Sequence, residues 1–260
     1  MERRRFLTTL AAAVPFAVAG VVTALRGRDV PAGEPSGPAP GTAPVPTPPV
    51  APTDPAPDEA TAPETPAPEP LLLLCRDTLG LAPAFAGGVA HAPVRVTVHH
   101  SAVPLEDARD APRQLRAFQR DHQRRGWVDL AYHRAIDPAG NIYELRDPAI
   151  EGDSSTDYDL TGHLQLLCLG DFDRQEPTPA MLEELARLVA AECAARDVPL
   201  ATLSAHRDHV LTWCPGGALY ARLDDTRARA AELLNVGAPA LVRLCGDEGT
   251  ARIAAIESRG

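Results

Sequence analysis

VRVTVHH, residues 94–100, is the stretch on which the fold turns. Val94, Val96 and Val98 alternate with Arg95 and Thr97, which is the period of a β-strand with one buried side. The strand ends on His99 and His100. A strand end holds a side chain at a fixed place, so a histidine there is a candidate for chemistry as well as for packing.

Downstream, APRQLRAFQRDHQRRGW (111–127) has Leu115 and Phe118 at helical spacing and reaches a helix-stopping glycine at Gly126. LAYHRAIDPAGNIYEL (130–145) places two β-prone runs around the turn Asp137-Pro138-Ala139-Gly140 and predicts a hairpin. HLQLLCLG (163–170) is apolar enough for a buried strand. TPAMLEELARLVAAECAARD (178–197) opens with Thr178 as N-cap and Pro179 at the first helical position. Leu182, Leu185, Val189 and Cys193 then share one stripe. A last helix is expected over 218–234. Strands and helices interleave without repeats, which predicts an α/β fold: a single domain with a mixed central β-sheet covered by helices.

Upstream, the chain is not domain-like. Residues 1–30 carry Arg3, Arg4 and Arg5, then Phe6-Leu7, then an apolar run from Leu10 to Leu25. That order reads as an export signal, and Arg-Arg-x-Phe-Leu resembles a twin-arginine signal. Ala17-Val18-Ala19 is a cleavage candidate. The run is shorter than the ~20 residues of a spanning helix, so membrane contact is expected only through this segment if it stays uncleaved. Residues 31–70 hold 15 of the 27 prolines and six acidic residues with no basic ones, an acidic spacer unable to bury a core. The domain is expected over 71–240 and a C-terminal tail over 241–260. The expected location is across the cytoplasmic membrane, in the periplasm or cell wall or secreted.

The net charge is −10, of which 1–30 contribute +3 and 31–70 contribute −6, leaving −7 on the rest. So acidic a domain makes a poor nucleic-acid binder. The chain has no lysine, which excludes lysine-based catalysis. Of five cysteines, Cys75, Cys168, Cys193 and Cys245 can form two disulfides in any of three pairings, or Cys168 and Cys193 can be buried thiols. The fifth, Cys214, sits in HRDHVLTWCPG (206–216), eight residues after His206. Thiolate and imidazole are zinc ligands, and a hydrolytic zinc site needs three protein ligands and an open position. His206 and Cys214 offer two, and His99 at its strand end offers the third.

Four stretches together, VTVHHSA (96–102), GWVDLAYHRAIDPAGNIYELR (126–146), GHLQLLCLGDF (162–172) and HRDHVLTWCPG, resemble the type 2 class of zinc-dependent N-acetylmuramoyl-L-alanine amidases, which includes the peptidoglycan recognition proteins. The similarity covers roughly residues 90 to 235. It implies Zn²⁺ held at one end of the sheet by His99, His206 and Cys214. It implies catalytic roles for Tyr132, beside the water, and Thr212, at the substrate carbonyl. His100, on the opposite strand face, is expected to line the cleft or pack. Gly126, Trp127 and Arg146 match positions that accompany binding of diaminopimelate-containing stem peptides. An arginine suits the extra carboxylate, which it can grip bidentately. An equal reading is that Trp127 caps a core and Arg146 is a solvated charge, since Gly-Trp also occurs in amidases of other preference. The implied partners are the peptidoglycan stem peptide and muramic acid, met by a monomer. Because members that only bind peptidoglycan commonly lack the cysteine, Cys214 favours amide hydrolysis over a non-catalytic binding module with a structural zinc. A zinc peptidase of another fold would be expected to show HExxH, which is absent.

Overall fold

The computed structural model describes residues 68–258. The export-signal and most of the spacer expectations therefore lie outside the described residues. Seven strands form one sheet: β1 (Leu71–Leu74), β2 (Arg95–His100), β3 (Arg134–Ile136), β4 (Ile142–Glu144), β5 (His163–Cys168), β6 (Ser204–Ala205) and β7 (Leu241–Leu244). Their order is β6-β2-β5-β3-β4-β1-β7. Every neighbouring pair is parallel except the β3–β4 hairpin. The expected mixed sheet is thus present, and its helices cover both faces.

Val96, Val98, Leu164, Leu166 and Ile142 pack on one face beneath α2 (Pro179–Arg196), which is itself covered by α4 (Leu223–Val236). Sandwiched in this way, α2 buries more than one stripe, including Leu188, Ala190 and Ala191. On the other face Ala135, Tyr143 and Leu167 pack with Leu115 of α1 (Ala111–Arg124) and with Ile253 and Ile256 of α5 (Gly246–Glu257). No helix among the described residues is long and apolar enough to cross a membrane.

Several local expectations correspond closely to the structure. Thr178 accepts a hydrogen bond from Met181 N (3.1 Å) as the N-cap of α2. Asp137 ties the hairpin turn through Ala139 N (2.8 Å) and Asn141 N (3.0 Å). Three expectations differ. First, β2 is buried on both faces. Thr97 is enclosed and its hydroxyl bonds His163 Nδ1 (2.7 Å), whereas Val94, just before the strand, is exposed. Interior parallel strands are covered on both sides, so alternation there separates two cores. Second, the final helix is broken into α3 (Gly217–Tyr220) and α4. Third, residues 241–257 are no tail. β7 pairs with β1, α5 packs on the sheet, and Cys245 is disulfide-bonded to Cys75. Cys168 and Cys193 are buried free thiols.

Candidate metal centre and its cleft

β2 and β6 run parallel with Val98 opposite Ala205. The next residues, His99 and His206, therefore leave the carboxyl ends of two adjacent strands side by side, where ligands of open α/β sheets collect. Their rings lie 4.7 Å apart. Asp208 accepts from Ala205 N (2.7 Å) and so tightens the turn that carries His206. The loop then folds back, with Arg207 N donating to Cys214 O (3.1 Å). Gly216 anchors that return at φ +88°, where any Cβ would stand 2.5 Å from the Phe172 backbone carbon. Cys214 Sγ ends 3.7 Å from His99 Nδ1 and accepts from His100 N (3.4 Å).

One ligand atom from each of His99, His206 and Cys214 lies within 4.8 Å of the others. With Zn–S near 2.3 Å and Zn–N near 2.0–2.1 Å, a tetrahedral N···S edge is about 3.6 Å. The observed 3.7 Å separation suits that donor set. Burial holds His99 well below its ordinary pKa, helped by His206, and pulls His206 down to about 4, so both imidazoles are neutral donors at neutral pH. Burial pushes the Cys214 thiol up to about 12, so a thiolate there calls for a cation beside it. The three residues fit zinc.

The triad lies in a cleft of about 490 Å³ whose lining includes Tyr132, Thr212, Trp127 and His100. The Tyr132 ring is 5.2 Å from that of His99, and burial, with the nearby Cys214, raises the pKa of its phenol. Thr212 Oγ1 accepts from Cys214 N (3.3 Å), which leaves its own hydrogen free to donate. His100 faces away from His99 as period two requires, stacks on Phe172 at 6.2 Å and accepts from Phe172 N (3.3 Å). Trp127 packs 4.7 Å from His122, whose Nδ1 accepts from Ala131 N (3.1 Å).

Two of the expected substrate contacts are not on this lining. Gly126 is the φ +89° residue that ends α1. Arg146 is 2% exposed, and its guanidinium donates to Leu130 O (2.6 Å), Asp129 O (3.0 Å), Glu151 O and Asp153. Arg146 thus fixes the loops that build the cleft, and the arginine on the lining is Arg174.

Sequence reasoning missed the polar loop 153–156. Thr156 Oγ1 lies 2.7 Å from His206 Nε2, and Ser154 Oγ lies 2.8 Å from Thr156 Oγ1. With Nε2–H given to Thr156, His206 keeps Nδ1 for a metal. No periodicity marks such a loop, and a serine-threonine run reads as an ordinary turn. Asp171 and Asp173 were missed too; with His100 they form a second group of close donors. Their carboxylates cap backbone amides, Asp173 accepting from Gly217 N (3.0 Å) and Asp171 from Asp173 N (3.3 Å).

Residues 90–217 match the family model described as N-acetylmuramoyl-L-alanine amidase. This stretch, just under half of the chain, resembles the type 2 amidase and peptidoglycan recognition protein family. Among similar proteins of this family, peptidoglycan-recognition protein LB of Drosophila melanogaster is 30% identical over 49% of this chain and 56% of its own length. A Homo sapiens N-acetylmuramoyl-L-alanine amidase is 32% identical over 47% of this chain and 22% of its own. The match thus spans little more than half of one relative and about a fifth of the other. The solved structure of peptidoglycan recognition protein LE in complex with tracheal cytotoxin, a monomeric diaminopimelic acid-type peptidoglycan, superposes with TM-score 0.54 at 25% identity, over 59% of this chain and 92% of that one. The amidase-family match takes in His99, Tyr132, His206, Thr212 and Cys214. It ends before α4, β7 and α5.

Proposed function

We propose that this protein is an exported zinc-dependent peptidoglycan hydrolase that cleaves the amide between the lactyl group of N-acetylmuramic acid and L-alanine of the stem peptide. The observation that carries the reading is the complete His99–His206–Cys214 donor set at the base of the cleft. The family supports peptidoglycan as the partner, and the intact cysteine supports hydrolysis over binding alone. Export rests on the twin-arginine-like start of the chain.

Zinc, when bound by these three residues, supplies Lewis acidity and lowers the pKa of water from ~15.7 to about 7. The chain's own groups do the rest. Tyr132, its phenol kept protonated by burial, serves as a hydrogen-bond donor that orients water beside His99. Thr212 directs its free hydrogen at the carbonyl oxygen on which charge develops, a contact of the kind worth ~2.7–4 kcal/mol in a well-studied protease. Trp127 and His122 give the peptide an apolar wall. The diaminopimelate preference expected of Arg146 cannot come from direct contact by its buried guanidinium. Arg146 instead shapes the cleft wall through the Asp153 loop that it holds.

Metal-stripped and zinc-reloaded protein, incubated with purified insoluble peptidoglycan, tests the reading. Zinc-dependent release of soluble peptide supports it. Equal retention of protein on the wall in both states, with no release, assigns the domain to recognition instead.

A further inference from the structure

The loop that carries Cys214 displays two large apolar side chains to solvent: Leu211 is 100% exposed and Trp213 is 80% exposed. Aromatic rings on a rigid support supply large contact area and lose little entropy on binding. The support here is rigid. Trp213 O accepts from Gly216 N (2.8 Å) and from Arg207, while its neighbours Thr212 and Cys214 bond to each other (3.3 Å). Trp213 is among the residues that line the cleft holding the triad.

We infer that Trp213 is a sugar-stacking platform that receives the pyranose ring of the muramic acid on the acyl side of the scissile amide. The inference rests on the proposed function above, which fixes the order of groups along the substrate. The carbonyl oxygen assigned to Thr212 belongs to the lactyl group, and the lactyl group is attached to the sugar. Trp213 follows Thr212 by one residue, a Cα step of about 3.8 Å. The first large group beyond that carbonyl on the acyl side is the sugar ring, with its flat C–H face. On the other side of the amide stands alanine, whose methyl has little use for an exposed indole. Trp127, half-buried against His122, is left to the peptide side.

The test uses the two products of the proposed cleavage, neither of which can be cut again: the N-acetylglucosaminyl-N-acetylmuramic acid disaccharide and the free stem peptide. Titration calorimetry of the full-length zinc-loaded protein measures both. Trp213→Ala is expected to weaken the disaccharide roughly tenfold, as for loss of one aromatic contact, and to leave the peptide unchanged. Trp213→Phe should keep most of the disaccharide affinity. Undetectable disaccharide binding by the wild type, equal disaccharide affinity in wild type and Trp213→Ala, or parallel loss of both ligands would each overturn the inference. The amidase reading fails separately, by absence of zinc-dependent peptide release from the wild-type protein.

Discussion

Thr156 touches no substrate in this account, yet it decides which nitrogen His206 offers. Its Oγ1 lies 2.7 Å from His206 Nε2, so a ring that gives Nε2–H to Thr156 would leave Nδ1 as the nitrogen for zinc. Thr156→Val keeps the shape and removes the hydroxyl. Zinc affinity is expected to fall about 10–100-fold, read by competition with a chromophoric chelator. Unchanged affinity would leave the ring's orientation to packing alone. Tyr132 and Thr212 make the complementary case. Tyr132→Phe and Thr212→Val should keep full zinc while turnover drops, by roughly 10²–10⁴ for the tyrosine if its hydroxyl serves in proton handling. Because both groups serve one transition state, the double variant should lose less than the product of the single losses. Wild-type rates at full zinc occupancy would assign the chemistry to other groups. At this scale the closeness of His99, His206 and Cys214 was legible, because the strand end and the tight loop were read together with the family resemblance. Arg146 and Thr156 were not, because a sequence records a guanidinium or a hydroxyl but not the carbonyls or imidazole that claim it.

Between β3, β5 and the loop at Ile150 lies a histidine that makes the fold acid-sensitive. His133 is fully buried, its Nε2 donating to Ile150 O (3.0 Å) and its Nδ1 accepting from Gln165 N (2.9 Å). Only the neutral ring satisfies both, and burial takes its pKa down to about 3. The unfolded value is about 6.5, so the unfolded chain takes up this proton first as pH falls. The contribution is complete above pH ~6.5 and is lost progressively toward pH ~3. At pH 5 the loss is about 2 kcal/mol from His133 alone. Buried His163, pulled down to about 4, acts in the same direction. Urea midpoints should therefore fall between pH 7 and pH 5, and unchanged midpoints would contradict the assignment. Elements with a strong local signal were legible: the capped α2, the Asp137 hairpin and the apolar β5. β7 was not, because Leu241–Leu244 is four residues long at a sheet edge and carries no usable period.

The whole domain is closed by a bond far from its chemistry. Cys75 and Cys245 join positions 170 residues apart and tie α5 and β7 to β1. β7 forms one edge of the sheet, whereas β6 and β2, which carry the site, lie at the other. Replacing both cysteines with alanine should cost about 2–5 kcal/mol of stability and leave zinc affinity unchanged. A loss of zinc affinity would show that the two edges are coupled. The most direct test of the central claim is the mass of what leaves the cell wall. Zinc-loaded wild-type protein acting on purified peptidoglycan should release stem peptides with a free N-terminal L-alanine and leave glycan chains with intact lactyl carboxylates, and Cys214→Ser should release none. Products cut within the peptide or the glycan, or equal release by Cys214→Ser, would contradict it.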